Sequence, residues 1–113
     1  MKVQWDNKVG LPETGSVAIW LHHFLYLRAK PVEPKEMYDQ LADHFGLDTR
    51  QRHAMRHTTS EPAWHNRVQT AREHLRKLGY LDGSQFGLWS LTPDGIAAAK
   101  KQEPRLSESI SDL

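Results

Sequence analysis

Asn66, Gln69 and Thr70 share one face of a helical repeat, and their side chains could contact nucleic-acid bases. The amides of asparagine and glutamine can form two hydrogen bonds with adenine, and the threonine methyl group can contact that of thymine. A polar face is also what any helix at a protein surface shows. The choice between these interpretations depends on the charge around the three residues and on the elements that position them.

Positive charge is concentrated in the same stretch. Residues 48–77 contain 7 basic and 3 acidic side chains, a balance of +4, whereas residues 1–47 and 78–113 have balances of −1 and −2. Basic and polar side chains together are typical of a surface that binds the DNA backbone, although a basic helix can also be merely solvated. We predict a DNA-binding surface formed by Arg50, Arg52, Arg56, His65, Asn66, Arg67, Gln69, Thr70, Lys77, Ser84, Gln85 and Phe86.

Two segments have the Asp/Glu-x-Lys spacing that metal-dependent nucleases use, Asp6-Asn7-Lys8 and Glu33-Pro34-Lys35. In such enzymes the carboxylate and the lysine follow a buried strand, which places them beside the metal and the phosphate. Neither segment follows an apolar strand, and chance spacings are common in a chain with 26% charged residues. We therefore predict no catalytic residue and no enzymatic activity.

Seven histidines raise the question of a metal site, because His53 and His57 have the i, i+4 spacing that can chelate zinc on a helix. Two ligands do not complete a site, and no glutamate follows His53 as the metalloprotease pattern requires. Serines gather near the C-terminus without the strand–turn–helix setting of a hydrolase nucleophile. We predict neither a metal nor another cofactor.

One long helix is predicted over residues 60–78. Ser60 can cap its first amides, Pro62 suits a first turn, and Gly79 followed by Tyr80 is a common helix end. An apolar stripe with helical spacing predicts the buried face, formed by Trp64, Val68, Ala71, Leu75 and Leu78. The polar residues proposed to contact bases then face outward.

Two helices are predicted before the long one. The first runs from a cap at Ser16 to about Ala29, with a buried face formed by Val17, Trp20, Leu21, Phe24 and Leu27, and with His22, His23 and Tyr26 pointing away. The second begins at Pro34, packs through Met37, Tyr38, Leu41 and Phe45, and ends at Gly46-Leu47. Residues 48–59 are predicted to form a basic loop or a short helical turn.

A hairpin and a short last helix are predicted after the long helix. Leu81 ends one strand, Asp82-Gly83 favours a tight turn, and residues 86–91 form the return strand. Thr92 caps the last helix, and residues 102–113 are polar enough to predict a disordered tail. The chain is thus an arm (1–15), one mainly helical domain (16–101) and a tail.

Three helices followed by a two-stranded hairpin are typical of a winged helix-turn-helix domain. In this fold the third helix, here 60–78, enters the major groove and the hairpin lies along the DNA backbone. Trp20 and Trp64 are predicted to lie in the core, and Trp89 to pack on the long helix. Phe86, near the hairpin tip, is predicted either to touch DNA or to cover the base of the hairpin.

The composition restricts the cellular setting. The chain has no cysteine, and none of its apolar runs approaches the roughly 20 residues that span a membrane. The segment MKVQWDNKVG lacks the apolar stretch of a signal peptide. We expect a cytoplasmic protein.

Across residues 66–95 the motif NRV-x-x-AR-x-x-L-x-K-x-GYL, followed by FGLWSLTPDG, resembles the N-terminal domain of Mrr-type restriction endonucleases. GLP at 10–12 and LADHFGLDTRQR at 41–52 extend the resemblance to residues 10–99. It implies a winged-helix module that binds DNA, usually joined to a nuclease domain that cuts modified foreign DNA. The family often has glycine and tryptophan before the Ala-Arg pair, where this chain has Gln69 and Thr70, so base preference is not carried over.

The sequence therefore predicts a non-catalytic module that binds double-stranded DNA, as the target- or modified-base-recognition domain of a restriction system. A nuclease domain in the same or another chain is the expected partner. Two alternatives share the fold, a small dimeric transcriptional regulator and a winged helix that binds another protein. A stable dimer would favour the first alternative, and an absence of salt-dependent DNA binding would favour the second.

Overall fold

The computed structural model describes residues 10–56, 61–84 and 86–111, with side chains described as far as residue 106. The chain is mainly helical with a small antiparallel hairpin, as the sequence predicts. Its elements are α1 (Thr14–Arg28), α2 (Pro34–His44), α3 (Thr49–His53), α4 (Ala63–Lys77), β1 (Leu81–Asp82), β2 (Ser90–Leu91) and α5 (Pro93–Ser111). In the described part of the chain, no helix is both long and apolar enough to cross a membrane.

Helix α1 is the centre of the core. It packs on α4 over the largest helix–helix contact and also meets α2, α5 and β2. The core joins Val17 and Leu21 of α1 to Met37 and Leu41 of α2 and to an apolar stripe of α4. Because α1 is covered from several sides, two of its polar residues, His22 and His23, are buried as well.

The predicted faces of α1 are partly wrong for this reason. His22 and His23, expected to point away, are buried, whereas Leu27, expected in the core, is 56% exposed. The His22 Nε2 donates a hydrogen bond of 2.7 Å to the carbonyl of Gly95 in α5, and this bond makes the burial possible. Ser16 is not the cap, because the helix already begins at Thr14.

The ends of α2 are as predicted. Pro34 occupies the first helical position, and Gly46 adopts a φ of +66° beyond the end. The amide of Leu47 donates to the carbonyl of Ala42 at 3.0 Å, which closes the last turn. The basic stretch that follows contains the five-residue helix α3, which begins with a capping box between Asp48 and Gln51.

Helix α4 begins at Ala63, later than predicted. Pro62 is extended and forms an isolated antiparallel bridge with Met55, while the amide of Ala63 donates to the carbonyl of Ala54 at 2.7 Å. This pairing holds the chain extended up to the first turn of the helix. The predicted cap Ser60 lies outside the described residues. At the other end Gly79 has a φ of +80° as expected, but Leu78 is 53% exposed and does not continue the apolar stripe.

The hairpin is shorter than predicted and does not contain a two-residue turn. Only Leu81 and Asp82 pair with Leu91 and Ser90, so that the return strand spans two residues and a seven-residue connection, 83–89, joins the strands. Trp89 instead pairs with Val32 of the α1–α2 connection through backbone hydrogen bonds of 2.9 and 2.8 Å. This bridge attaches the hairpin to the first half of the domain.

Helix α5 is longer than predicted. Thr92 caps it as expected, because its hydroxyl accepts from the amide of Gly95 at 3.0 Å. The helix continues to Ser111, so residues 102–111 are helical rather than disordered. The outer limits of the domain stay a prediction.

Gly95, in the first turn of α5, lies close to the residue that precedes β1. A Cβ at this position would lie 2.2 Å from the carbonyl oxygen of Tyr80.

Candidate nucleic-acid interface

Helix α4 buries one face and presents the opposite face to solvent. Ala63, Trp64, Val68, Ala71 and Leu75 are buried, whereas Gln69, Thr70, His74, Arg76 and Lys77 are exposed. Asn66 and Thr70 lie one turn apart, and the Thr70 hydroxyl donates to the carbonyl of Asn66 at 2.9 Å. The residues predicted to contact bases therefore lie on one outward-facing surface.

One edge of this surface is bounded by Tyr38 of α2. The Nε2 of Gln69 donates to the Tyr38 hydroxyl at 2.8 Å, and the His65 ring stacks on the Tyr38 ring with centroids 4.2 Å apart. Burial lowers the pKa of His65, although the nearby carboxylates Asp39 and Glu61 act in the opposite direction. The lowered pKa favours the neutral imidazole of His65, which can donate or accept a hydrogen bond.

The other edge is bounded by the segment before α1. The Arg67 guanidinium donates to the carbonyl of Pro12, and Leu11 packs on the core. Thr14 then joins Gln69, Thr70, Glu73, His74 and Lys77 around a surface depression. Arg67 is half-buried and holds the arm, so its charge is directed at the protein backbone.

A carboxylate, Glu73, lies on the outward face beside the predicted contact residues. Glu73 accepts two hydrogen bonds from Arg76, from Nε at 2.8 Å and from an Nη at 2.6 Å. The bond from Arg76 is the main cause that lowers the pKa of Glu73. The opposite charges of Glu73 and Arg76 cancel, so the two residues together add no net charge to the surface.

The predicted phosphate-binding cations fall into two groups. Arg52 donates to the carbonyl of Leu47 at 2.9 Å and pairs with Asp43 at 2.9 Å, and Arg56 lies 3.5 Å from Glu61. Arg50 and Lys77 are exposed and form no hydrogen bond or ion pair with any other described residue. Only the second group can bind an anion without first giving up a partner.

The hairpin contributes two described residues. Phe86 is fully exposed, so it does not cover the base of the hairpin, and Ser84 is exposed with its amide bonded to Asp82 at 2.8 Å. The predicted contact Gln85 lies outside the described residues. Trp89 is buried as predicted, with the Arg72 guanidinium 5.7 Å from its ring centroid. Arg72 thus packs on an aromatic ring.

Tyr38, Thr14, Glu73 and His74 belong to the same surface but were not among the predicted contact residues. Glu73 and His74 follow from the spacing of α4 alone, since both lie near the side opposite Val68. Tyr38 and Thr14 lie on other helices, so the helical spacing of α4 cannot predict that they belong to this surface. No three histidine, aspartate or glutamate side chains come together as metal ligands among the residues that the structure describes.

The element order, the bridge that ties the hairpin to the α1–α2 connection and the polar face of α4 define a winged-helix-like domain. The family model of the Mrr N-terminal domain matches residues 18–101, which is more than half of the chain, and the chain belongs to that family. This membership associates the chain with restriction systems. Neither the curated proteins nor the solved structures contain a match.

Proposed function

We propose that this chain is a non-catalytic module that binds double-stranded DNA and recognises the target, or a modified base, for a restriction system. The observation that carries the proposal is the outward face of α4, where amide and hydroxyl side chains lie between Tyr38 on one edge and the arm on the other. In winged helices this helix enters the major groove, where such groups can contact base edges.

The cations predicted to contact phosphate differ in whether they are already paired with a carboxylate. Of the cations predicted to contact phosphate, Arg50 and Lys77 form no hydrogen bond or ion pair with another described residue, so they are the first candidates for phosphate contacts. Arg52 and Arg56 join them only if a phosphate displaces Asp43 or Glu61. Phe86, exposed on the connection between the strands, is available for the sugar–phosphate backbone or the minor groove.

Family membership also suggests the partner. The match is to an N-terminal domain, and the nuclease chemistry of a restriction system requires a further domain, in the same chain or in another. This module would then supply target binding, and the partner would supply the metal-dependent cleavage.

Fluorescence anisotropy with short labelled duplexes tests the proposal. The duplexes are unmodified, or carry N6-methyladenine or a modified cytosine, and each is titrated at two salt concentrations. We expect binding that weakens as salt rises, because phosphate contacts release counterions. Tighter binding of one modified duplex identifies a modified-base reader, and equal binding of all of them identifies a DNA anchor without that preference.

A matched pair of double variants shows whether the predicted surface is the one used. Arg50→Glu with Lys77→Glu is expected to weaken binding of every duplex alike. Lys30→Glu with Lys100→Glu makes the same charge change at exposed lysines of the α1–α2 connection and α5, and is expected to have much less effect. Absence of salt-sensitive binding by the unaltered protein at low salt would rule out the proposed function.

A further inference from the structure

Tyr38 of α2 is held firmly against α4. Its ring stacks on His65 at 4.2 Å with planes 9° apart and meets the edge of Trp89 at 5.9 Å. Its carbonyl accepts a hydrogen bond of 2.9 Å from the indole nitrogen of Trp64. From this position its hydroxyl reaches the outward face, where the Gln69 amide donates to it at 2.8 Å.

The hydrogen bond between Tyr38 and Gln69 leaves two complementary groups unused. When the Gln69 nitrogen donates, its carbonyl oxygen remains an acceptor and the phenol hydrogen remains a donor. When the amide is turned round, the phenol donates to the carbonyl, leaving the amide nitrogen as donor and the phenol oxygen as acceptor. In both arrangements the pair keeps a donor and an acceptor side by side, in addition to the second hydrogen of the amide.

Among the four bases only adenine matches this combination in the major groove. Adenine presents the acceptor N7 beside the donor N6, whereas guanine presents two acceptors, thymine an acceptor and a methyl group, and cytosine a donor. We infer that Tyr38 and Gln69 together read one unmodified adenine. This inference rests on the proposed DNA-binding function. It assigns a specificity-determining role to Tyr38, which lies on α2 and not on α4.

The inference also predicts how methylation acts at that position. The N6 amino group of adenine has two hydrogens, one paired with thymine and the other directed into the major groove. A methyl group on N6 replaces the second hydrogen, which removes the donor that the pair needs. The Tyr38–Gln69 pair therefore rejects N6-methyladenine, and any modified base that the module prefers is read elsewhere on the surface.

Tyr38→Phe separates recognition from packing. Phenylalanine keeps the ring that contacts His65 and Trp89 and loses only the hydroxyl that holds Gln69. Gln69→Ala removes the other half of the pair. Tyr26→Phe is the matched control, since it removes a hydroxyl from α1 in the cleft beside Lys30 and Ser90.

The experiment selects bound sequences from a pool of randomised duplexes with the unaltered protein and the three variants. For each protein we also measure affinity for one unselected duplex at low salt and the midpoint of thermal unfolding. We expect the unaltered protein and Tyr26→Phe to select a site with a required adenine. Tyr38→Phe and Gln69→Ala should lose that requirement by about fivefold to a hundredfold, the range for a bidentate base contact. Tyr26→Phe should bind the unselected duplex as the unaltered protein does.

The outcomes separate this inference from the proposed function. DNA binding without sequence preference, or the same adenine requirement in Tyr38→Phe, overturns the inference and leaves the DNA-binding function intact. No binding of any duplex overturns both. In the last step the required adenine is replaced by N6-methyladenine; weaker binding supports the inference, and unchanged or tighter binding overturns it.

Discussion

Helices α1 and α4 are each fifteen residues long and pack against each other, yet they differ in how they meet the rest of the molecule. Helix α1 is covered by α2, α4, α5 and β2, and even its histidines are buried. Helix α4 buries one stripe and leaves a polar face outside. A single buried stripe is what a helical repeat predicts, so the sequence describes α4 better than α1.

The largest effect is expected from Leu21→Ala in α1. Leu21 is fully buried, and its truncation leaves a cavity that costs about 2–5 kcal/mol of unfolding free energy. Leu27→Ala, in the same helix but at an exposed position, should change it by about 0.5 kcal/mol or less. Urea unfolding followed by circular dichroism measures both. Equal losses at the two positions would mean that α1 is not covered as the structure shows.

A second comparison concerns a histidine of each helix. His22→Ala leaves the buried carbonyl of Gly95 without its donor, which we expect to cost about 1–3 kcal/mol. His74→Ala on the outward face of α4 should leave the unfolding free energy nearly unchanged, since His74 is exposed. The same denaturant titrations apply. If His74→Ala were the more damaging variant, α4 would have a contact on its outward face that the structure does not show.

The cations near α4 provide a smaller and more selective test. Arg50→Gln should lower the slope of log affinity against log salt by about 0.9 without lowering stability, because one phosphate contact is lost. Arg52→Gln should instead lower stability by about 1 kcal/mol or less, since it breaks the partly exposed pair with Asp43. Salt titrations by anisotropy and thermal unfolding separate the two variants. A larger change in the salt slope from Arg52→Gln would reverse their assigned roles.

The pH dependence is expected to be the smallest effect and involves both helices. Burial is the main cause that lowers the pKa of His23 in α1 and of His65 in α4 below the ordinary value of 6.5. Below pH 6.5 these histidines are protonated more readily in the unfolded chain than in the folded chain. The free energy of unfolding therefore decreases as the pH falls below 6.5.

Thermal unfolding at pH 7.5 and 5.5 should show this decrease. His23→Gln is expected to reduce it more than His65→Gln, because His23 is the more buried of the two. An unchanged pH dependence in His23→Gln would assign the effect to other groups.

The features that the sequence predicted correctly depend on neighbours along the chain. Pro34 at a helix start, Gly46 and Gly79 after helix ends and Thr92 as a cap act within four residues. The outward face of α4 follows from spacing in the same way. The family resemblance, now shown over residues 18–101, rested on the order of such local motifs.

What was missed depends on contacts between distant residues. The Val32–Trp89 bridge shortens the hairpin, and the Met55–Pro62 bridge delays α4. The hydrogen bond from His22 to Gly95 joins residues 73 positions apart and buries a side chain that its polarity placed outside. The Tyr38–Gln69 contact likewise requires knowledge of how α2 lies on α4. No helical period contains that information.

The tight fit at Gly95 has a consequence for genetic variation in this chain. Gly95 lies against the backbone of Tyr80. Its carbonyl accepts a hydrogen bond from His22, and its amide donates one to the hydroxyl of Thr92. Every replacement adds at least a Cβ, and the nearest atom is main chain, which cannot swing aside. We therefore expect every missense variant at position 95 to destabilise the fold. Gly83 has open space around it, so we expect missense variants there to leave the stability of the fold unchanged.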